Sequence, residues 1–586
     1  MTCRYNIIII FSVLILYSKI RFSAQKLLHG PYHPLPVFEI CPSRIYCQGE
    51  LLPTVESSNI LTAFQNMMMI RNPSDVIENF NKLKAHGYNG SIPFPMLRMF
   101  IKENFVVEHG VLINWLPIDF KNYPLVIGFI QDIQYKHLTA ALNQMWLTLA
   151  KRISVSVRDN PERYSMIYVP NGFFLNSEND NEFQYWDTYW IIKGALICGM
   201  RNTVKGILEN LIHMIKINGY VMYGNRVYYG GRSQPPLLIQ MMAVYYTFTN
   251  DKDFIFENIE FLDDEMMFWL LYRSMYVKSN GNTYIMGHYM SDTTDPRPEK
   301  YAFDMKIAKN LPQKRDRDEY YCRVKAASES GWGISSKHFH NRVEFENREL
   351  MYLKTNPLNF VYVELNAILQ SNSAILSKMY LLKDDKVNEE FYRKLAQRYQ
   401  IGINSLLWNE KENIWLDFDS SIENSRNNFY ASNLAPLWTF SYDNKLSEFY
   451  GDAAVDYLIR NNIINSDLTP RYICIPTSLY KSGLEWDDTN CWPQLQSMII
   501  FGLQATRSER AKIVASNFAS SWMHTNFVGY KNTNSIFQKY SAVKLGSENN
   551  EGELFDIMQP KANGVSMGLL FEIFHEWGNV LESKQP

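Results

Sequence analysis

The chain has 586 residues, of which 46% are hydrophobic and 20% charged, with a formal net charge of −2. A balance this close to neutrality gives no electrostatic basis for binding nucleic acid or an anionic membrane surface. Aromatic residues make up 14% of the chain, which suits a carbohydrate site and equally suits a large core. No Pro/Gly/Ser-rich linker divides the sequence, so we predict a single domain over residues 25–580.

The first 24 residues are typical of a secretory signal peptide. Arg4 precedes an apolar run over residues 7–17, and the small residues Ser23 and Ala24 follow it. At about 1.5 Å per helical residue this run is too short to cross a bilayer core of about 30 Å. We therefore predict cleavage near residue 24 and a secreted, extracellular chain without a membrane anchor.

Secretion permits disulfides, and six cysteines follow the predicted signal peptide. Cys41 and Cys47 are close enough to close a small loop, so we predict that they pair, while the other pairings stay open. No two cysteines have the CxxC spacing of a zinc site, and we expect no metal. Asn89 begins the sequon Asn-Gly-Ser and is a predicted glycosylation site.

Helical periodicity dominates the rest of the chain. Apolar residues recur three and four apart on three faces, which are Leu142, Met145, Trp146, Leu149 and Ile153; Leu208, Leu211, Ile212 and Ile215; and Leu395, Tyr399, Ile403 and Leu406. Gly219 is a predicted C-cap of the second helix, and the charged run 313–319 predicts a solvated loop. Helices that alternate with long polar-aromatic loops predict a closed helical ring, since no fixed period indicates a solenoid.

The loops between these helices contain distinctive segments. In chain order they are IYCQGELL at 45–52, QYWDTYW at 184–190, RVYY at 226–229, RSQPP at 232–236, RPE at 297–299, ESGW at 329–332, LWNE at 407–410, WLD at 415–417, WDDTNCW at 486–492 and NGV at 563–565. Together they resemble the trehalases, glycoside hydrolase family 37, and especially the secreted insect and animal members. The resemblance covers about residues 41–570. It implies an all-α fold, an (α/α)6 barrel with long loops around one mouth, and hydrolysis of α,α-trehalose to glucose with inversion, without a cofactor.

A trehalose site needs forked donors, paired acceptors and aromatic walls, and the matching loops offer all three. The predicted substrate-binding residues are Trp186, Asp187, Arg232, Ser233, Gln234, Arg297, Pro298, Glu299, Gly331, Trp332, Trp486, Asp487 and Glu553. The alternative interpretation is that these arginines and carboxylates only pair with one another and hold the loops in place.

The two catalytic carboxyl groups of the family are missing from this sequence. Inverting hydrolysis uses a protonated and an ionised carboxyl about 6.5–9.5 Å apart. The family's acid is the Asp directly after Glu-Ser-Gly-Trp, and Gly333 stands there. The family's base is the Glu of a Glu-Lys-Tyr motif, and Gln538 stands there, 15 residues before Glu553 as in the family. An amide cannot serve as a base at neutral pH, so we predict a catalytically dead or severely impaired protein.

Two further departures concern binding. The family has an Arg before the Trp-Asp of its first signature, and an insertion here puts Phe173 or Asn179 at that position. Tyr223 replaces a family Asn nine residues before Arg232. These changes remove a charged donor and add a bulky ring.

The alternative is an active secreted trehalase that uses substitute carboxylates. Glu548, Glu551 and Asp556 flank the pocket glutamate and are candidate bases, although none supplies the missing acid. If the protein is inactive, its ligand is trehalose, another small sugar or an extracellular protein partner. His338 and His340 are interpreted as loop or core histidines.

Overall fold

The computed structural model describes residues 41–58, 64–87, 92–291, 293–340, 348–549 and 561–583. The predicted signal peptide, Asn89, Glu551, Glu553 and Asp556 lie outside these ranges. The helices are α1 Leu51–Ser57, α2 Pro73–Ala85, α3 Phe94–Asn104, α4 Ile133–Leu149, α5 Val155–Asp159, α6 Tyr185–Ile197, α7 Arg201–Asn218, α8 Leu238–Thr249, α9 Lys252–Tyr272, α10 Tyr301–Ala308, α11 Lys314–Glu329, α12 Arg348–Lys354, α13 Val363–Leu382, α14 Lys386–Gly402, α15 Ala435–Thr439, α16 Ser447–Arg460, α17 Pro493–Gln504, α18 Glu509–Thr533 and α19 Gly564–Trp577.

The strands are short and form small sheets of two or three members. They are β1 Met67–Met69, β2 Phe105–Val107, β3 Leu112–Asn114, β4 Ala150–Ile153, β5 Phe173–Phe174, β6 Ser274–Ser279, β7 Asn282–Gly287, β8 Phe360–Val361, β9 Trp408–Asn409, β10 Ile414–Trp415, β11 Phe418–Asp419, β12 Asn424–Ser425, β13 Asn490–Cys491 and β14 Tyr540–Ser541. All the pairings between these strands are antiparallel. They fasten loops to one another and leave the helices as the main architecture.

Six helices form a closed inner ring in which α6, α8, α13, α15, α17 and α19 each pack against the next, and α19 packs against α6. These helices are apolar on nearly every side, because each is enclosed by its neighbours. A second layer of α4, α7, α9, α14, α16 and α18 covers the ring. This arrangement is the predicted all-α (α/α)6 barrel.

The apolar periodicity of the sequence predicted where outer helices lie more accurately than the residues at which they end. Helix α7 has the expected apolar face, and Gly219 caps it with φ +81° while its N–H donates to the Ile215 carbonyl at 2.7 Å. Helix α4 stops at Leu149, because the chain then enters β4, where Ile153 pairs with Leu112. The predicted continuation of that helix to Ile153 is therefore wrong.

The charged run 313–319 is not a loop, and that prediction is also wrong. It forms the first turns of α11, which buries Tyr320, Tyr321 and Val324 on one side and exposes charges on the other. Lys314 and Asp318 pair at 2.7 Å across one turn, a spacing that stabilises an exposed helix face.

The N-terminal segment forms a smaller hydrophobic cluster of its own. It contains α1, α2, α3, β1 and β2, and its buried side chains run from Ile45 to Phe105. A disulfide joins Cys41 and Cys47, and another, which the sequence left open, joins Cys474 and Cys491. Within the described ranges no helix has both the length and the apolarity required to cross a bilayer.

Candidate functional site

The predicted site residues cluster in the loops that precede the inner helices. Trp186 and Asp187 occupy the first turn of α6. The backbone N–H of Trp186 donates to Gln234 Oε1 at 2.8 Å, and Gln494 Nε2 donates to Asp187 Oδ1 at 2.9 Å. Three loops, which lead into α6, α8 and α17, are therefore held together at one mouth of the barrel.

Arg232 and Glu299 form the first ion pair of the site. The two guanidinium nitrogens of Arg232 donate to Glu299 at 2.6 and 3.1 Å, and the guanidinium lies 4.9 Å from the Tyr229 ring centroid. Burial alone would raise the pKa of Glu299, but the charge and hydrogen bonds of Arg232 lower it to about 2. Glu299 therefore stays ionised and cannot act as a proton donor at neutral pH.

Arg297, in contrast, is bound to Asp304. Arg297 donates from its backbone N, Nε and Nη2 to that carboxylate at 3.0, 2.9 and 2.6 Å. Pro298 follows at the start of a short 3-10 helix. The guanidinium fork of Arg297 is thus already occupied by a carboxylate in the first turn of α10.

The segment after α11 forms a tight turn around Trp332. Gly331 and Gly333 have φ angles of +79° and +59°, which glycine adopts without steric cost. Before the turn, Glu329 is fully buried and accepts from the Ser233 N–H at 2.9 Å and from Arg273 Nε at 2.8 Å. The Glu-Ser-Gly-Trp segment is thus anchored by its glutamate.

At Gly333 there is room for a side chain. A Cβ built on this glycine would meet Trp486 Cδ1 at 3.9 Å as its nearest atom, an ordinary van der Waals contact. The missing acid therefore leaves an unfilled space beside an aromatic wall.

The aromatic wall consists of Trp486, Trp492 and Trp332. The Trp486 and Trp492 rings stack with centroids 3.9 Å apart, and the Trp332 centroid lies 5.6 Å from that of Trp486. Trp332 is fully buried, while 7% of Trp486 is exposed. Trp486 is therefore better placed than Trp332 to meet a sugar face.

Asp487 lies beneath this wall and is fully buried. Its carboxylate accepts from the Ser336 N–H at 2.8 Å and from the hydroxyls of Ser478 and Ser482 at 2.9 and 2.5 Å. Burial raises the pKa of Asp487 to about 6. These contacts join the loop after Trp332 to the loop before α17.

Gln538 is exposed and comes shortly before β14, which pairs with β13 in the loop of the stacked tryptophans. The following residue, Lys539, lies 3.5 Å from Glu485 and 5.4 Å from the Trp492 ring centroid. Gly333 thus neighbours Trp486, and the residue after Gln538 lies near Trp492, so the segments that carry the two replaced catalytic positions reach the same aromatic stack.

The other departures from the family pattern differ in position. Phe173 is completely buried in β5 against Phe183, with ring centroids 5.0 Å apart, and Asn179 is exposed. Tyr223 is half-buried, and its ring lies 5.5 Å from the Arg232 guanidinium. Of these residues, Tyr223 is the one that contacts a predicted binding residue.

Asp180 is a site residue that sequence reasoning missed. It lies in the insertion before Trp186 and accepts from the Ser177 N–H at 2.8 Å. Burial, with the nearby charge of Asp187, raises the pKa of Asp180 to about 7, and burial raises that of Asp187 to about 6. The insertion itself was the available signal, because extra residues beside a binding motif lie at the site.

The histidines have local partners. His338 is buried with its Nδ1 2.7 Å from Tyr362 Oη, and His340 Nδ1 lies 2.7 Å from Asp419. In the described ranges no cluster of three or more His, Cys, Asp or Glu side chains is arranged to hold a metal.

The ring of helix pairs and the arginine, carboxylate and tryptophan groups at its mouth define an (α/α)6-barrel protein of the glycoside hydrolase type. The trehalase family model matches residues 59–559, and the chain belongs to the trehalase family. The trehalase of Pimpla hypochondriaca is 36% identical over 93% of this chain and 92% of its own length. The trehalase of Homo sapiens is 35% identical over 93% and 91%.

A solved structure has the same fold at low sequence identity. The neutral trehalase of Saccharomyces cerevisiae superposes with a TM-score of 0.51 at 15% identity, covering 69% of this chain and 73% of that one. This likeness concerns the arrangement of the helices alone.

Proposed function

We propose that this chain is a secreted trehalase-family protein that binds trehalose, or a closely related small sugar, and hydrolyses it extremely slowly or not at all. One observation carries the proposal: Gly333 and Gln538 offer no carboxyl group at the positions of the family's acid and base. Acid–base groups contribute about 10²–10⁴-fold each, so the loss of both is expected to cost about 10⁴–10⁸-fold, short of full additivity.

The carboxylates of the adjoining loops support this proposal because each has other partners. Glu329 is held by Arg273 and a backbone N–H, Glu299 by Arg232, and Asp487 by serine hydroxyls. A carboxyl held by a guanidinium or enclosed by other donors is not free to reach a leaving oxygen. None of these three groups offers a replacement acid.

Sugar binding is supported by polar groups that retain some exposure at the mouth. Glu299 keeps 18% of its side chain exposed, Asp187 is 8% exposed and Trp486 is 7% exposed. Trehalose has only hydroxyls and ring faces to recognise, and such a set matches both. Secretion rests on the predicted signal peptide over residues 1–24.

Glucose release from trehalose tests the proposal, with the natural chain measured beside the double variant Gly333→Asp with Gln538→Glu. We expect no release from the natural chain and measurable release from the double variant, because Gly333 has room for the side chain. Gly333→Asn with Gln538→Glu is the matched control, since asparagine has the same shape without the acid.

Calorimetry with trehalose at millimolar concentration tests the binding half separately. Heat without turnover supports a sugar-binding protein. No heat contradicts it and leaves an extracellular protein as the ligand to seek. Robust turnover by the natural chain contradicts the loss of catalysis.

Asp180 favours a second candidate function, an active secreted trehalase with substitute carboxylates. Its pKa of about 7 would keep much of it protonated at neutral pH, as a general acid requires. In that case the natural chain releases glucose with an ionisation near pH 7, and Asp180→Asn abolishes the release. Glu178→Gln, an exposed change in the same insertion, is the control and should have no effect.

A further inference from the structure

A cavity of about 260 Å³ lies between the Cys41–Cys47 loop and the segment over residues 293–298. Its lining is formed by Cys41, Cys47, Gln48, Tyr228, Gly230, Arg232, Thr293, Thr294, Asp295, Pro296, Pro298 and Lys325. Its volume is just below the range of about 300–1,000 Å³ for ligand pockets, so it suits a small chemical group.

Lys325 is the unusual member of this lining. It projects from α11, is 6% exposed, and donates from Nζ to Thr293 Oγ1 at 2.6 Å. Across the ranges that the structure describes, no carboxylate oxygen comes within 4.0 Å of this ammonium. Its one contact is a neutral hydroxyl.

Every other buried lysine or arginine of the described residues has a carboxylate within that distance. These residues are Arg226, Arg232, Arg273, Arg297, Lys337, Arg426 and Lys539. Since a buried charge is normally paired closely, an anion that enters the cavity would supply the near partner that Lys325 does not have among the described residues. Burial lowers the pKa of Lys325 to about 8, and the charge of Arg232 adds to this lowering. The more distant carboxylates of Asp295, Glu299 and Asp304 oppose it, and the amine remains mostly protonated at neutral pH.

Arg232 also belongs to the lining, but its charge is already paired. Glu299 and the Ser328 hydroxyl accept from its Nη1, and Glu299 also accepts from its Nη2. Asp295 is the single carboxylate of the lining and opposes an anion there. Lys325 is therefore the charged donor that the cavity offers to an entering anion, with the Thr293 hydroxyl beside it.

We propose that this cavity binds a phosphate-type oxyanion, with Lys325 as its charged donor and Thr293 beside it. Two sources have this chemistry: inorganic phosphate, and a phosphate ester on a sugar whose ring lies toward the trehalose site. The second source rests on the proposed function, because Arg232 borders both places.

Calorimetry on the full mature chain tests the proposal with four probes: inorganic phosphate, sulfate, glucose 6-phosphate and glucose. We expect phosphate and sulfate to bind, and Lys325→Met to weaken both by about tenfold or more, because charged donors make the strong bonds to oxyanions. Lys325→Arg should keep most of the binding. Lys278→Met, a change of an exposed lysine on β6, is the matched control and should bind like the natural chain.

Asp295→Asn gives an independent arm that leaves Lys325 in place. Removing this opposing charge should tighten phosphate and sulfate binding. The charge of sulfate does not change near neutral pH, so any pH dependence of its binding comes from the protein. Its affinity should fall as the pH rises through about 8, where Lys325 loses its proton when no anion is bound. Tighter binding of glucose 6-phosphate than of phosphate or glucose identifies the sugar-borne source, and equal binding of phosphate and glucose 6-phosphate identifies the free anion.

Absence of heat with phosphate and sulfate up to about 10 mM overturns the proposal. So does undiminished affinity in a folded Lys325→Met chain, or no change with Asp295→Asn. A trehalose titration on the same preparation separates the two hypotheses. Phosphate binding without trehalose binding contradicts the proposed function alone, and the reverse contradicts the oxyanion site alone.

Discussion

The turn at Gly333 shows how a catalytic group can be lost without a change of fold. Its φ of +59° lies in the left-handed region, which aspartate tolerates better than most residues. The turn is held by neighbours instead: the Trp332 N–H donates to Ser330 Oγ at 3.1 Å, and Glu329 is bound to Arg273. The missing carboxyl has no part in these contacts.

Gly333→Asp alone should therefore cost only about 1–2 kcal/mol in the free energy of unfolding, because the left-handed φ strains the new side chain while its Cβ meets no close neighbour. Gly331→Asp is the matched change in the same turn. There the new Cβ would come within 3.3 Å of Trp186 at a φ of +79°, and we expect the larger loss. Urea unfolding of both variants measures the difference. Equal losses would contradict the account of the turn.

Lys337 lies in the floor of the site and allows a second prediction at this scale. Its ammonium is fully buried, 2.8 Å from Glu364, 3.2 Å from Asp417 and 4.6 Å from the Trp332 ring centroid. Lys337→Met leaves buried Glu364 without its cation and leaves Asp417 with Arg426 at 4.0 Å, which should cost about 3–5 kcal/mol.

Chemical denaturation measures this loss against Lys306→Met, which removes an exposed pair with Glu349 and should cost about 0–1 kcal/mol. Similar losses in the two variants would mean that the buried pairs contribute little.

Sequence reasoning predicted the residue types of the site, but not the partners of those residues. Arg297 and Asp487 were expected to meet sugar, with pairing inside the protein as the alternative. Arg297 is bound to Asp304, and Asp487 to several serines. Asp304 is seven residues from Arg297, and Ser478 and Ser482 are nine and five residues from Asp487, but no helix or strand period relates these positions, so no local pattern indicates them. Lys325 was missed as well, since its significance is that no carboxylate oxygen of the described residues lies within 4.0 Å of its ammonium.

At the scale of elements, helices α6 and α19 approach each other closely where they cross. A Cβ on Gly194 would lie 2.7 Å from the Gly568 Cα, and a Cβ on Gly568 would lie 2.2 Å from the Trp190 carbonyl oxygen. We expect Gly568→Ala to cost about 1–3 kcal/mol, because a packed backbone cannot yield to the extra methyl.

Thermal and urea unfolding test this against Gly128→Ala, where nothing lies within 4 Å of the new Cβ and little change is expected. A neutral result for Gly568→Ala would show that the two helices separate easily.

Periodicity predicted outer helices such as α7, because these have one apolar face and one wet face. It could not predict inner helices such as α6, which bury nearly every residue and have no periodic contrast. The early end of α4 depends on the pairing of β4 with β3 and β5, a non-local event. Helix α11 was missed because the charges of its exposed face outnumber the buried side chains at its start.

For the whole molecule, the (α/α)6 barrel was predictable because the loop motifs occur in family order around the ring. The ring closes where α19, near the C-terminus, packs against α6. The closed ring places charged groups far from water, so several carboxyls lie in apolar surroundings. Their protonation should couple the stability of the whole barrel to pH.

Burial raises the pKa of several carboxyls above the ordinary value near 4: Asp187 and Asp487 to about 6, Asp180 to about 7 and Glu265 to about 8. Between pH 4 and 8 the folded chain holds protons that the unfolded chain has released, so unfolding becomes easier as the pH rises. Each pKa unit of difference is worth about 1.4 kcal/mol. Glu299 acts in the opposite direction, because its pKa is lowered to about 2. The ionised Glu299 stabilises the fold above about pH 4.5, and this stabilisation is lost as the pH falls toward 2.

His288 opposes this trend below about pH 6.5, because burial lowers its pKa to about 4 and the unfolded chain then binds the proton more readily. We therefore expect the melting temperature of the mature chain to fall by several degrees between about pH 6.5 and pH 8. Glu265→Gln should flatten this fall, because the amide still accepts the Tyr185 hydroxyl but has no proton to lose. Melting curves at pH 5, 6, 7 and 8 for both chains supply the comparison. A melting temperature that rises over that interval, or an identical slope in the variant, would show that these carboxyls ionise in the folded barrel without cost.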